Sequence, residues 1–358
     1  MNIGLIGPPR SGKTTVFHLL TGTENDPNAA FKREALRAVT HVPDKRVDKL
    51  AEMSNSKKTD YVTVEYVDTP GIEEGSSKQN WFEGQVMSEI KNSDALLLIV
   101  RDFGAEEVDS LHPEKDIRSV QDELVFADFV VIEKRLDKLN KQRRVKPITG
   151  EEQHELSVLE HAHAALEEGK PLRMLEMDAV DKKLLRGFQC LSEKPLLAIV
   201  NVADDKLAAS DAQVQALNES LADCGVQAIA LSAQIEGEIA LLEGEEREEF
   251  MKDLGITDAA RDRVLRSSFE LLGMHSFLTT GDKESRAWPI MRNATAVDAA
   301  GVIHTDLAHG FIRAEVVHYD DFVREGGYPG CREKGLLRLE GKDYIVKDGD
   351  ILVIRHSG

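Results

Sequence analysis

The chain has 358 residues, with 45 Lys and Arg against 64 Asp and Glu, and a formal net charge of −19. That length exceeds what one compact core usually takes, and 41% hydrophobic with 30% charged residues fits a soluble globular protein of two or three domains. The acidity excludes a protein that coats nucleic acid through its bulk charge, but it leaves room for a local basic patch.

The first predicted strand, Ile3, Leu5 and Ile6, runs into Gly7-Pro8-Pro9-Arg10-Ser11-Gly12-Lys13-Thr14, followed by Thr15 and the apolar helix face Val16, Phe17, Leu19 and Leu20. Strand, glycine-rich loop and helix form the arrangement that wraps phosphates in backbone N–H groups at a helix N-terminus. Gly7, Pro9, Arg10, Ser11, Gly12, Lys13, Thr14 and Thr15 are therefore the candidate phosphate-binding residues. Lys13 would neutralise the outer phosphates, and the Thr14 hydroxyl would ligate Mg²⁺. A second strand, Tyr61–Val67, ends in Asp68-Thr69-Pro70-Gly71. Asp68 stands at the tip of a buried strand, the place for a second magnesium ligand, and Gly71 would swing a peptide N–H onto a γ-phosphate. The next residue, Ile72, occupies the place where Ras-like GTPases orient the attacking water with a glutamine. Isoleucine offers no hydrogen bond, so slow intrinsic turnover is expected.

Ala95–Val100 reads as a buried strand, and His112 lies in the loop beyond it. Val125, Phe129, Ile132, Leu136 and Leu139 then recur at coiled-coil spacing, and Leu156, Leu159, Ala162 and Leu166 give a returning stripe after a Pro/Gly turn. This predicts an antiparallel helical hairpin inserted at 119–181. Between Glu133 and Lys146 there are seven cations against two anions, which reads either as a solvated helix surface or as a prong that touches RNA phosphates. His154, His161 and His163 do not converge on one helical face, which argues against a metal site there.

Leu196–Val200 is another buried strand and leads into Asn201-Val202-Ala203-Asp204. This is similar to the base-reading Asn-Lys-x-Asp of GTPases, with Val202 in place of the lysine. Asn201, Val202 and Asp204 are therefore candidate base-binding residues, with Asn201 and Asp204 reading the base; the Asp204 carboxylate would accept the ring N–H and exocyclic amine of guanine. After the strand Ala228–Leu231, Ser232 and Ala233 would close over the base. Residues 232–262 carry ten acidic and three basic side chains and read as a solvated acidic helix pair. From Ser276 onward short β-like runs alternate with glycines, with one short helix capped by Thr295. Cys190, Cys224 and Cys331 lie far apart with no Cys-x-x-Cys pair, so free thiols in a reducing compartment are expected. The apolar runs fall far short of the ~20 residues of a membrane helix, and the N-terminus carries no signal-peptide core. A cytoplasmic location follows as the expectation.

With these residues placed, the chain resembles the YchF family, the Obg-like ATPases of the P-loop GTPase class. The resemblance runs through nearly the whole length. It includes Leu166–Pro171, Leu278–Glu284 with Arg286-Ala287-Trp288, Ala300–His304, Gly310–Glu315 and Leu339–Tyr344. It implies an α/β fold: a G-domain-like P-loop NTPase sheet at 1–118 and 182–276, interrupted by the hairpin, then a β-grasp TGS domain at 277–358. It also implies Mg²⁺-dependent hydrolysis of ATP or GTP by a switch that associates with the ribosome or ribosomal RNA; a monomer is expected. Some positions depart from the family pattern. The base motif ends in Asp204 where the family has Glu. Arg10 and Ser11 replace Asn-Val in the loop, and Lys32 stands near the usual switch threonine. The family's loop histidine falls in a shortened segment, where His112 is the nearest catalytic candidate beside Lys13 and Gly71; a solvated loop histidine is the alternative. The rival reading is a nucleotide-binding ribosome or RNA regulator with little hydrolysis.

Overall fold

The structure, a computed structural model, describes residues 1–24, 35–69, 84–104 and 111–357, without the side chains of 84–86. Gly71, Ile72 and Lys32 lie outside the described residues. The chain divides into two compact units, Met1–Thr40 with Glu65–Val264, and His41–Val64 with Leu265–Gly358.

In chain order the elements begin with β1 (Asn2–Ile6), α1 (Lys13–Thr21), β2 (Leu36–His41), α2 (Lys45–Ser54), β3 (Thr59–Asp60), β4 (Thr63–Asp68), α3 (Gly84–Asn92) and β5 (Ala95–Asp102). The next group is α4 (Pro113–Val145), α5 (Gly150–Glu167), α6 (Ala179–Arg186), β6 (Leu196–Val202), α7 (Ser210–Ser220) and β7 (Val226–Leu231). Helices α8 (Ala233–Leu241), α9 (Gly244–Asp253) and α10 (Ala260–Leu271) follow. The last group is β8 (Met274–Thr280), β9 (Ser285–Met291), α11 (Ala296–Ile303), α12 (Thr305–His309), β10 (Phe311–His318), α13 (Tyr319–Arg324), α14 (Tyr328–Glu333), β11 (Arg338–Glu340) and β12 (Asp350–His356).

The first unit is built on a sheet of order β2-β4-β1-β5-β6-β7, in which β4, β1, β5, β6 and β7 pair in parallel. Strands β5 and β6 are near-continuous runs of Leu, Ile, Val and Ala buried along their length, as a parallel sheet covered on its faces requires. Strand β2 was not expected from its sequence. It alternates partly buried and exposed residues, and its Arg37 pairs with Glu65 at 3.6 Å and with Glu89 on α3.

Helix α4 starts at Pro113, earlier than the expected insert boundary, because Ile117, Val120 and Leu124 belong to the core against the sheet. Beyond them Val125, Ile132, Leu136 and Leu139 pack with Leu156, Leu159, Ala162 and Leu166 of α5. Arg135 donates two 2.6 Å hydrogen bonds to Glu155, and Gln142 one of 2.6 Å to Glu152, so the helices run antiparallel. Thr149 and Glu152 form a capping box at the start of α5, where the sequence turns. His154 pairs with Asp181 at 2.9 Å, and the His163 ring lies 4.7 Å from that of Phe129.

At the hairpin's base, the buried Asp128 carboxylate accepts from Leu191 N and Ser192 N, both at 2.7 Å, and from Ser192 Oγ at 2.6 Å. Burial pushes its carboxyl above the ordinary range against these three bonds, which pull it down. Asp128→Ala strands three buried donors, and we expect it to lower stability by about 3 kcal/mol in urea denaturation. A loss within experimental error would show that water satisfies those donors.

The acidic stretch is not wholly solvated. Glu236 on α8 is buried and accepts from Ala260 N at 2.7 Å and Arg261 N at 3.1 Å, which caps the start of α10.

The second unit holds a sheet of order β11-β10-β12-β8-β9-β3. Thr295 and Asp298 form a capping box on α11, and Ala296, Ala299 and Ala300 pack with Phe277, Ile290, Val316 and Leu352. Here the structure departs from the expected boundary at 277. Strand β3, from the N-terminal part of the chain, pairs in parallel with β9. Ser54 Oγ meets Thr280 Oγ1 at 2.8 Å, and Ser56 Oγ donates to Gly281 O at 2.6 Å. Arg46 donates to Asp44 and, at 2.8 Å, to Asp348. A segment of two dozen residues ahead of β4 thus belongs with the C-terminal sheet. The three cysteines are buried free thiols.

Candidate phosphate and base site

Parallel pairing places the chemistry at the carboxyl ends of the strands, the usual ligand edge of such a sheet. Leu5 is registered with Asp68, Arg101 with Asn201, and Asn201 with Leu231. The ends of β1, β4, β5, β6 and β7 therefore line one edge.

The loop after β1 turns on two left-handed residues, Arg10 at φ 63° and Gly12 at φ 86°. Arg10 carries a side chain where L-residues are disfavoured, a local strain that marks this loop as over-determined by its surroundings. Glycine is obligatory at two positions. A Cβ on Gly7 would stand 2.3 Å from Ile99 O, and one on Gly12 would stand 2.4 Å from Asn201 Nδ2. Helix α1 starts at Lys13, so the free N–H groups of its first turn open onto the loop. Pro9, Arg10, Thr14 and Thr15 are exposed. Ser11 is buried, and its Oγ has no hydrogen-bond partner among the described residues.

Lys13 Nζ donates to Asp68 Oδ1 and to Thr69 O, while Thr14 Oγ1 donates to Asp68 Oδ2 at 2.8 Å. Thr69 Oγ1 in turn donates to Leu5 O at 2.7 Å, which locks the end of β4 against β1. The structure thus brings together the two expected magnesium ligands and the lysine. The donors are hard oxygens, a hydroxyl and a carboxylate, the set that suits Mg²⁺.

On the other side, Asn201 is buried and acts as a tie. Its Nδ2 donates to Ser11 O at 3.2 Å, and its Oδ1 accepts from Ala233 N at 3.1 Å. Asp204 is exposed, and its Oδ1 accepts from Ser232 Oγ, the residue that also caps α8 through Ile235 N at 3.3 Å. Val202 must be corrected. It is 2% exposed and packs in the core beneath the sheet edge, so its side chain has no surface to offer a base. His112 does not join the site either. It is an exposed N-cap of α4 without a side-chain capping bond, and among the described residues none of its bonds reaches Lys13, Thr14 or Asp68.

Two contributors had escaped the motif reading. Arg261 on α10 donates to Leu19 O at 2.8 Å and Leu20 O at 3.2 Å, capping the C-terminal end of the loop helix. Asp102, at the end of β5, is buried and accepts from Lys206 Nζ at 2.6 Å and Gln213 Nε2 at 3.2 Å. A carboxylate closing the strand after the apolar run Ala95–Val100 was the available signal for Asp102; no local signal marks Arg261.

Two family models match the chain. Residues 2–135 match "50S ribosome-binding GTPase", and residues 274–357 match the YchF-GTPase C-terminal family, described as "Protein of unknown function (DUF933)". The protein named Ribosome-binding ATPase YchF from Bacillus subtilis is 35% identical over 373 residues, spanning 100% of this chain and 99% of its own. The chain belongs to the YchF family. The YchF of Escherichia coli O157:H7 carries the same name and is 36% identical over 355 residues, 98% of this chain and 97% of its own. The solved structure of the Schizosaccharomyces pombe YchF GTPase superposes with a TM-score of 0.84 at 25% identity, covering 99% of this chain and 97% of that one. The fold is thus the P-loop GTPase-like α/β fold of the YchF family. The relatives' names divide between ATPase and GTPase, which leaves the base as the chemical question. No helix among the described residues is long and apolar enough to cross a membrane.

Proposed function

We propose that this YchF-family chain is a Mg²⁺-dependent purine nucleoside triphosphatase that works as a slow molecular switch on the ribosome. The observation that carries the reading is the meeting of Thr14 Oγ1 and Asp68 Oδ2 at 2.8 Å beside Lys13 Nζ. Magnesium, when bound, offsets the charge of the phosphate oxygens. Thr14 and Asp68 would hold it. Lys13, now paired with Asp68 and Thr69 O, would turn to the phosphates, an anion of higher charge. The amides of residues 12–15 would donate to the same phosphates. Asn201 would keep the phosphate loop and the Ser232-Ala233 turn in one frame, and Asp204 would meet the base edge.

Slow turnover rests on Ile72, which supplies no group to orient water; Gly71 would report the γ-phosphate. That same isoleucine favours the second reading, a nucleotide-binding ribosome regulator with little hydrolysis. The names of the relatives support the ribosome as partner. The exposed Lys141, Arg143, Arg144 and Lys146 at the hairpin tip are the chemistry for RNA phosphates. We assign the paired lengths of α4 and α5 to that hairpin, the unit of His41–Val64 with Leu265–Gly358 to a TGS-type module, and the protein to the cytoplasm as a monomer.

Multiple-turnover phosphate release from ATP and GTP tests the proposal. With Mg²⁺ we expect steady release, and with a chelator a fall to background. Equal release in the two conditions would reject the metal-assisted reading. Tight binding without release in either would favour the regulator.

A further inference from the structure

The turn that opens the phosphate loop carries a residue ill suited to its backbone. Ser11 N donates to Pro8 O at 3.3 Å, which closes a β-turn over Pro8-Pro9-Arg10-Ser11. Proline at the second place and a left-handed residue at the third form the type II pattern, and glycine or asparagine ordinarily fills that third place. Here it is Arg10, at φ 63°. The other left-handed residues besides glycine are Asn55, Gln189 and Asn293, all uncharged amides. A guanidinium there costs folding energy that glycine would save, so its side chain is the feature to explain. Its surroundings narrow the explanation. Within Gly7–Thr14 the cations are Arg10 and Lys13. The turn buries Ser11 and leaves Arg10 exposed on the loop that opens onto the first turn of α1. Two further cations of this unit are committed elsewhere: Arg261 caps the far end of α1, and Lys206 pairs with Asp102.

We infer that the Arg10 guanidinium is a catalytic group, supplying from within the phosphate loop the positive charge that offsets the phosphoryl group in flight. The inference rests on the proposed triphosphatase reading. In that reaction water adds its oxygen to the γ-phosphorus while the bond to the bridging oxygen breaks. The electron pair leaves on the diphosphate, and the released proton passes to solvent. Negative charge spreads over the transferring oxygens and gathers on the leaving one. An ammonium is a point charge, whereas the planar guanidinium donates to two oxygens at once and stays protonated throughout. Arg10 therefore gives up no proton and forms no covalent bond; it acts by charge alone. Other P-loop enzymes take such an arginine from their own chain or from a partner. With Arg10 on the loop, this chain carries its own. Ile72 still leaves the water unplaced, so turnover stays slow. A partner that speeds the switch has the water to orient and no arginine to bring.

Steady-state phosphate release by the full chain, with Mg²⁺ and with ATP and GTP in turn, tests this on Arg10→Gly. Glycine suits the left-handed place, so the variant should unfold in urea at a midpoint no lower than the parent's. Its kcat should nevertheless fall by roughly tenfold or more, while KM changes by less than about threefold. A second readout needs no turnover. In calorimetric titration, the diphosphate with aluminium fluoride, which imitates the phosphoryl group in flight, should bind the variant roughly tenfold or more weakly than the parent. The diphosphate alone should bind both within about threefold. A variant that matches the parent in kcat, or one that loses as much affinity for the diphosphate alone, would overturn the inference and leave the triphosphatase reading standing. A parent that releases no phosphate would overturn that reading first, and the role of Arg10 with it.

Discussion

Lys13→Ala is expected to cut multiple-turnover phosphate release by roughly 100- to 1,000-fold, the usual cost of removing one group that offsets transition-state charge. The structure adds a reason beyond the motif. Lys13 Nζ bridges Asp68 Oδ1 and Thr69 O, so it also fixes the end of β4. Alanine leaves the Asp68 carboxylate, 5% exposed, with Thr14 as its only described side-chain partner. Binding of triphosphate should therefore weaken along with turnover, whichever base is offered. Phosphate release that matches the parent would remove Lys13 from the chemistry and sink the triphosphatase reading.

Asn201→Ala should produce a loss of a different shape. Its two bonds, to Ser11 O at 3.2 Å and from Ala233 N at 3.1 Å, join the phosphate loop to the turn after β7. Truncation leaves a buried carbonyl and a buried amide unpaired and opens space beside Gly12. We expect a stability loss of about 2–3 kcal/mol in urea denaturation. GDP and ADP should weaken together, each by roughly tenfold or more, because the damage lies in the frame between phosphate and base. Loss confined to one base would make Asn201 a base-reading residue rather than a tie.

The phosphate loop was legible because its chemistry restricts residue types. Only glycine fits against Ile99 O at Gly7 and against Asn201 at Gly12, and strand, loop and helix sit next to each other in sequence. Asp68 was legible as a polar residue ending a buried strand. What the sequence hid depends on register. Val202 holds the lysine's place in the base motif, but it is also the last residue of a strand buried throughout; its side chain therefore goes to the core. The tie made by Asn201 and the pairing of Asp102 with Lys206 exist only once β5, β6 and β7 are aligned. Glu236 was read as part of a solvated acidic face, and only the approach of α10 gives its carboxylate two amides to cap. The hairpin seam was visible, since coiled-coil spacing is local. Pairing of the two-residue β3 with β9 was not, because nothing near Thr59 points to a strand more than two hundred residues away.

That last pairing changes what a deletion experiment on this chain would measure. Val47 and Leu50 of α2 are fully buried, and α2 and β3 belong with the sheet that the chain completes only at β12. A stop codon after Val264 would therefore not deliver a nucleotide-binding half free of its neighbour. It would leave that helix without its sheet and put its apolar face in water, on the same stretch of chain that enters β4 and ends at Asp68. A fragment beginning at Leu265 would in turn lack its own edge strand. The gene can be cut at that point, but the C-terminal unit also needs His41–Val64, which such a cut leaves on the other fragment.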